Sequence, residues 1–402
     1  MINMLANPFH KAKAILEIIE SYQHQAYFVG GCVRDYLISR PIGDIDIATS
    51  ATPDELQQIF ESIIPVGIEH GTVIVRFEGQ SYEVTTFRVD GNYSDQRHPD
   101  TVTYIDQIDK DLERRDFTIN ALAMDKDGKI IDLFHGKSDL KKGIIRTVGN
   151  GVERFSEDPL RIIRALRFSS QLGFTIHPET ITHMKQVKQE IEGLAVERIT
   201  KEFTKLFAGE HVQKALDYII NLKIYQYLPI FRDNDQLFVR LPANVKPLLS
   251  FSEVLVLFHF LDRSISIAAW SKAWKCSNKQ KREALQLTEQ IDLFSHEGLS
   301  PWLVYQLPNT LYGGFVRLIS CLCGKKVMME QMLEIDHALP IHTKQEINFS
   351  GNDILELFPG SKRGPWIQQL LNSIERQIVT KQLPNEYQAI KEWIKWNPPG
   401  IN

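Results

Sequence analysis

The chain of 402 residues is short of several features, and each shortage excludes a class of protein. No apolar run approaches the roughly 20 residues of a membrane-spanning helix, so no membrane partner is expected. The N-terminal Met1-Ile2-Asn3-Met4-Leu5 lacks the basic segment and long apolar stretch of a secretory signal. There are only four cysteines: Cys32, Cys276, Cys321 and Cys323. Cys321 and Cys323 stand in an apolar stretch without partner ligands, which predicts buried thiols rather than a disulfide or a metal site. The expected setting is reducing and cytoplasmic. The twelve histidines are scattered without His-x-x-x-His spacing, which argues against a zinc site. Net charge is only −4, so the surface as a whole is no polyanion binder, although a local basic groove for RNA fits that balance.

What is present is an ordinary globular composition, 43% hydrophobic, long enough for about two to four domains. Up to about Gly143 helix-like and strand-like segments alternate. A helix is expected near 8–22, and strands near Ala26, Asp44, Gly71, Ser81 and 121–124. From about Ile144 strand signals fade and helical periodicity dominates. Proline and glycine breaks near 173–178, 241–242, 307–308, 339–340 and 358–360 cut it into bundles. The pattern is an α/β head on a long all-α body.

Two constellations carry chemistry. Ala26-Tyr27-Phe28-Val29 reads as a buried strand, and Gly30-Gly31-Cys32-Val33-Arg34-Asp35 follows it. Paired glycines let a phosphate approach the backbone, the helix start offers free N–H groups, and Arg34 adds a charged fork. Asp44-Ile45-Asp46-Ile47 alternates polar and apolar, so in a strand both carboxylates project to one face. Two adjacent carboxylates repel unless a cation sits between them, and Mg2+ suits carboxylates plus substrate phosphates. A triphosphate, metal ions and a nucleophile together make the apparatus of nucleotidyl transfer. Glu83, in the expected strand 82–88, either completes the carboxylate cluster or pairs with Arg88 or Arg76.

The second constellation is Glu157-Asp158-Pro159-Leu160-Arg161-Ile162-Ile163-Arg164-Ala165-Leu166-Arg167-Phe168. Ser156 is the expected N-cap and Pro159 fits the first helical turn. Asp158, Arg161, Arg164 and Arg167 follow at three-residue spacing and wind slowly around the helix at about 100° per residue. Asp158 accepts from an exocyclic amine, present on cytosine and adenine, while Arg161 donates to ring nitrogens or a carbonyl. Uracil and guanine present a carbonyl to Asp158 and are repelled. A pocket for CTP and ATP is predicted, needing no template. In Arg114-Arg115-Asp116-Phe117-Thr118-Ile119-Asn120-Ala121, Arg115 either clamps the incoming nucleotide or pairs with Asp116 or Glu113. The polar segment 90–100 reads as a mobile loop beside the site. Residues 361–395 carry six Lys/Arg against three Asp/Glu, interleaved with Trp366, Tyr387 and Trp393, which suits RNA contact or ordinary helix packing.

These motifs, with Glu197-Arg198-Ile199, Ser350-Gly351-Asn352-Asp353-Ile354 and Pro359-Gly360 ahead of Gly364-Pro365-Trp366, keep the order and approximate spacing of one family. The chain resembles the class II tRNA nucleotidyltransferases, the bacterial CCA-adding enzymes, over nearly its whole length. The resemblance implies an α+β fold: a small nucleotidyltransferase-type α/β head followed by an elongated all-α neck, body and tail. The boundaries expected are 1–143 for the catalytic head, 144–205 for the neck with its selection helix, 206–272 for the body and 273–402 for a tail contacting tRNA. It further implies Mg2+, tRNA as partner, CTP and ATP as substrates, and a homodimer. By the family pattern Gly31 and Arg34 fall on triphosphate-binding positions, and Asp44 and Asp46 on the catalytic metal positions. Arg115, Asp158, Arg161, Arg164 and Arg167 fall on nucleotide-binding positions. Cys32 stands where a small residue such as alanine is common.

The rivals are an A-adding relative, a poly(A) polymerase of the same superfamily, and an inactive RNA-binding relative. A poly(A) polymerase is expected to carry a basic, arginine-rich stretch where this chain has the polar 90–100 segment. A CC-only enzyme would have that loop shortened. An inactive relative would lack one metal carboxylate, and both are present.

Overall fold

A computed structural model describes residues 9–67, 70–91 and 101–399. The chain divides into two compact units, Met1–Val239 and Arg240–Asn402. Among the described residues no helix is long and apolar enough to cross a membrane.

The first unit begins with helix α1 (Phe9–Ser21), whose Ala12, Ile15, Leu16 and Ile19 recur at helical spacing and are all buried. Strand β1 (Ala26–Val29) leads through Gly30 into helix α2 (Gly31–Leu37). Strand β2 (Asp46–Thr49) follows, then α3 (Pro53–Ile59), which starts on a capping box between Thr52 and Glu55 with Pro53 in the first turn. Strands β3 (Ile63–Pro65), β4 (Thr72–Phe77) and β5 (Gln80–Thr86) come next. A separate hairpin pairs β6 (Arg88–Asp90) with β7 (Val102–Tyr104). Helix α4 (Ile108–Glu113), strands β8 (Ala123–Met124) and β9 (Ile130–Ile131) and helix α5 (Gly136–Lys142) complete the α/β part. Its sheet has seven strands in the order β3-β4-β5-β2-β1-β8-β9. Only β2 and β5 run parallel, so the sheet is mixed. Val29, Ala48, Phe87, Ile108, Leu112 and Ala123 form a buried cluster that seats α4.

Several expectations need correction. Asp44 lies in a bend ahead of β2, so the strand begins at Asp46, and Ile45 is only half-buried. The strand expected at 121–124 is shorter than that. Thr118–Asn120 form a single 3-10 turn, all three buried, and the strand starts only at Ala123. The expected strand 82–88 stops at Thr86. Of segment 90–100, Asp90 closes β6 and pairs with Arg88, while 92–100 lie outside the described residues.

Past Gly143 the helices take over, with one remnant of sheet: β10 (Ile144–Ile145) pairs with β11 (Thr175–Ile176) in parallel. Helix α6 (Gly151–Glu157) is capped by Asn150, and α7 (Leu160–Leu172) follows after a break. Ser156 is therefore no N-cap but sits in the last turn of α6. Proline disfavours the helical backbone in the residue before it, so Asp158 is extended (φ −148°, ψ 96°) and its carboxylate takes the N–H of Leu160 at 3.1 Å. Gly173 ends α7 with φ +72°, a conformation that suits glycine. Helices α8 (Pro178–Val187), α9 (Val196–Phe207) and α10 (Val212–Asn221) pack around α7 and α6.

The second unit is helical throughout its described residues. Trp270 and Trp274 are buried against Phe258, with ring centroids 5.2 and 5.6 Å apart. Helices Pro365–Val379 and Tyr387–Trp396 bury Leu370, Ile374, Ile378, Ile390 and Ile394 in one cluster. Trp366 and Trp393 pack half-buried against it, so two of the three tail aromatics serve packing. Tyr387 is exposed, and Trp396, which sequence reasoning passed over, is 83% exposed. Cys321 and Cys323 are free and half-buried rather than fully buried.

Candidate active site

A cavity of about 880 Å³ in the first unit is lined by Gly31, Arg34, Asp44, Asp46, Arg115, Asp158, Arg161, Arg164 and Arg167. Every expected site residue except Glu83 thus lines one cavity. Nine Lys/Arg against five Asp line it, which makes it a basic hollow in an acidic protein.

The glycine turn is built by Gly30, at φ +70°. A Cβ there would meet Arg115 Nη1 at 3.0 Å, so the absence of a side chain lets Arg115 approach the turn. Helix α2 carries no side-chain N-cap. Arg34 is held by both oxygens of Asp35 at 2.9 Å and donates to Asn120 Oδ1 at 2.7 Å. Cys32 is buried and donates to Val29 O at 3.2 Å, and burial pushes its thiol up to about 11.

Asp46 stands beside Glu83 in the parallel register of β2 and β5. Burial, then the charge of Glu83, push the Asp46 carboxyl up to about 6, with Arg115 opposing and Asp44 adding. Crowded carboxylates of this kind are hard oxygen donors short of a cation, which is the fit a divalent metal requires. Glu83 itself is exposed and outside the cavity lining. Among the described residues Asp44, Asp46 and Glu83 form no three-carboxylate metal cage, so Glu83 acts on Asp46 through its charge across the sheet. No ion pair of Glu83 with Arg76 or Arg88 occurs among the described residues, and Arg88 bonds Asp90 instead.

Helix α7 and its approach carry the remaining groups. Arg161 donates to Glu157 at 2.5 Å and to Arg154 O at 2.9 Å. Arg164 donates through Nε to Asp116 Oδ2 at 2.7 Å. Arg167 Nε lies 3.2 Å from Glu202 Oε2. Asp158 accepts from Arg198 at 2.8 Å. Arg115 pairs with neither Asp116 nor Glu113 but with Asp111 at 3.1 Å, and Arg114 shares that acid at 2.7 Å. Burial pushes the Asp116 carboxyl up, but Arg164, Asn120 and Arg161 outweigh it and hold it down at about 2.

Sequence reasoning missed these partners. Asp111 was legible, since it stands three and four residues ahead of Arg114 and Arg115 on one helix. Arg198 and Glu202 stand four apart on α9, one turn and one face. Asp116 and Asn120 gave no comparable signal, because their separation matters only once the 3-10 turn folds them together: Asn120 Nδ2 donates to Asp116 Oδ1 at 3.1 Å.

Residues 26–146 match the poly A polymerase head domain family. Residues 173–234 match a family described as "probable RNA and SrmB-binding site of polymerase A", and 254–394 match one described as "tRNA nucleotidyltransferase domain 2 putative". A CCA-adding enzyme of Oceanobacillus iheyensis is 51% identical over 400 residues, covering 99% of this chain and 100% of that protein. The crystal structure of the Bacillus stearothermophilus CCA-adding enzyme in complex with CTP matches with TM-score 0.86 at 34% identity, over 97% of each chain. The Thermotoga maritima CCA-adding enzyme complexed with tRNA shares the fold, with TM-score 0.62 at 20% identity over 96% of this chain and 94% of that one.

Proposed function

The chain belongs to the CCA-adding enzymes, and from that premise we propose that its cavity adds C, C and A to the tRNA 3′ end from CTP and ATP without a template, releasing pyrophosphate. The observation that carries this reading is the shared cavity. The aspartate pair, the Gly30 turn and the Asp158–Arg161 pair face one hollow large enough for a nucleotide and a primer end.

The residues divide the work. Asp158 Oδ1 holds Leu160 N–H and Oδ2 holds Arg198, yet each carboxylate oxygen keeps a lone pair for an exocyclic amine. Arg161 is steadied by Glu157 with N–H groups to spare for a ring nitrogen or carbonyl. Together they accept cytosine and adenine and leave uracil and guanine with a carbonyl against a carboxylate. Gly31, Arg34, Arg115, Arg164 and Arg167 bind the rest of the nucleotide, which aligns its α-phosphorus with the tRNA 3′-hydroxyl. Asp44 and Asp46 would hold the divalent ion the family uses, and we assign it as Mg2+ from the all-carboxylate donors. When bound, that ion lowers the hydroxyl pKa and neutralises charge on the leaving pyrophosphate. Glu83 tunes Asp46 from the neighbouring strand.

The finer assignments belong to the same proposal: head 1–143, neck 144–205, body 206–272, a tail at 273–402 that contacts tRNA, a cytoplasmic setting and a homodimer. The exposed Tyr387 and Trp396, with the excess of Lys/Arg over residues 361–395, support the tail contact.

The test supplies each of the four nucleoside triphosphates singly to tRNAs lacking part of the 3′ end. Incorporation from CTP and ATP alone is expected. Equal use of UTP or GTP would refute the base-reading role.

A further inference from the structure

Phe168 has no role in the reading above. It sits on α7 in the lining of the cavity, a residue only 3% exposed, and three guanidinium groups surround it. Arg167 Cζ lies 4.2 Å from the ring centroid, Arg34 Cζ 5.1 Å and Arg164 Cζ 5.6 Å. Phe117 packs against it edge to face, 5.8 Å between centroids at 85°. Each arginine also has an acid: Asp35 for Arg34, Asp116 for Arg164, Glu202 for Arg167. The third pair differs from the others. Arg167 Nε and Glu202 Oε2 are buried and 3.2 Å apart, yet neither has a hydrogen-bond partner. Glu202 therefore balances the charge of Arg167 without fixing its orientation. Crowding is also visible in Arg167, whose pKa burial and the neighbouring Arg164 push down to about 10.

We propose that Phe168 is a positioning residue whose ring spaces Arg34, Arg164 and Arg167 into one clamp for the polyphosphate of the incoming nucleotide. The proposal rests on the reading that this cavity binds nucleoside triphosphates. Three like charges in one wall repel each other. The negative face of an aromatic ring attracts each of them, so the ring holds a fan that an aliphatic side chain of equal bulk would let splay. A polyphosphate clamp is blind to the base, so CTP and ATP depend on it equally.

The decisive experiment replaces Phe168 by phenylalanines bearing one, two and three ring fluorines. This drains the ring face of negative charge while keeping its shape. KM for CTP and ATP should rise together across the series to about tenfold, with kcat within twofold and selectivity over UTP unchanged. The Kd of inorganic tripolyphosphate should rise by the same factor. Phe168→Leu should resemble the most fluorinated ring, and Phe168→Tyr should rescue. KM and tripolyphosphate affinity that stay constant across the series would overturn the proposal, as would a fall in kcat alone or a tyrosine as weak as leucine. If the unsubstituted protein adds no C or A but its tripolyphosphate affinity still tracks fluorination, the functional reading fails and the clamp stands.

Discussion

Arg198 donates from Nη2 to Oδ2 of Asp158 at 2.8 Å, tying the acid ahead of α7 to the helix α9 beside it. In the proposed base reading, specificity hangs on this carboxylate, which Arg198 and the Leu160 N–H already orient. Asp158→Ala should therefore admit UTP or GTP more readily, since the repulsion of their carbonyls is gone. Arg198→Met should keep the charge of Asp158 and lose its aim, so discrimination against UTP falls by about tenfold, a smaller loss than that of Asp158→Ala. Single-nucleotide incorporation with CTP and UTP in competition measures both.

Asp44→Ala and Asp46→Ala should each lower incorporation by about three orders of magnitude or more while tRNA binding persists. Filter binding and primer extension on the same preparations separate the two properties. Retained incorporation would remove the metal assignment.

Glu83→Gln should act differently. It stands beside Asp46 on the neighbouring strand and outside the cavity lining, so the proposal gives its charge the role of helping to draw in the cation without contacting substrate. The Mg2+ concentration giving half-maximal activity should rise about threefold to tenfold, with full activity restored at saturating metal. A loss of kcat that metal does not restore would make Glu83 a direct participant.

Asp116 links pH to stability. Its folded pKa lies near 2 against an ordinary value of 3.8, so the stabilisation is fully present above about pH 4 and is lost as pH falls through 2. Asp116→Asn should cost on the order of 2 kcal/mol at neutral pH. Denaturant unfolding should show a constant gap between the two proteins down to about pH 4, narrowing below it. A gap that widens in acid would contradict the ion pair with Arg164.

Much of this was legible in the chain. β1 and the turn after it follow from an apolar run ended by two glycines, and α7 follows from its apolar face at helical spacing. Eight of the cavity-lining positions, Gly31, Arg34, Asp44, Asp46, Arg115, Asp158, Arg161 and Arg164, stand in ordered motifs, and Arg167 extends them at the same spacing. What was illegible depends on tertiary pairing. Nothing local says that Arg115 chooses Asp111 over its neighbour Asp116, or that Asp116 reaches forward to Arg164. Ser156 looked like a cap because serine ahead of proline usually marks a helix start. The backbone restriction imposed by Pro159 moved the break to Asp158 instead. The strand expected from residue 121 starts only at Ala123, because Ala121 closes the buried 3-10 turn with a hydrogen bond from its N–H to Phe117 O.

The most direct test offers the purified protein three tRNAs, ending before the first C, after one C and after CC. Each is given CTP alone, ATP alone, then both, and product length is read to the nucleotide. CTP should extend the first by two and the second by one, ATP alone should extend only the third, and both together should bring all three to one CCA end and stop. Extension of only the CC-ending tRNA would make this an A-adding enzyme, and a run of added A residues would make it a poly(A) polymerase; either contradicts full CCA addition.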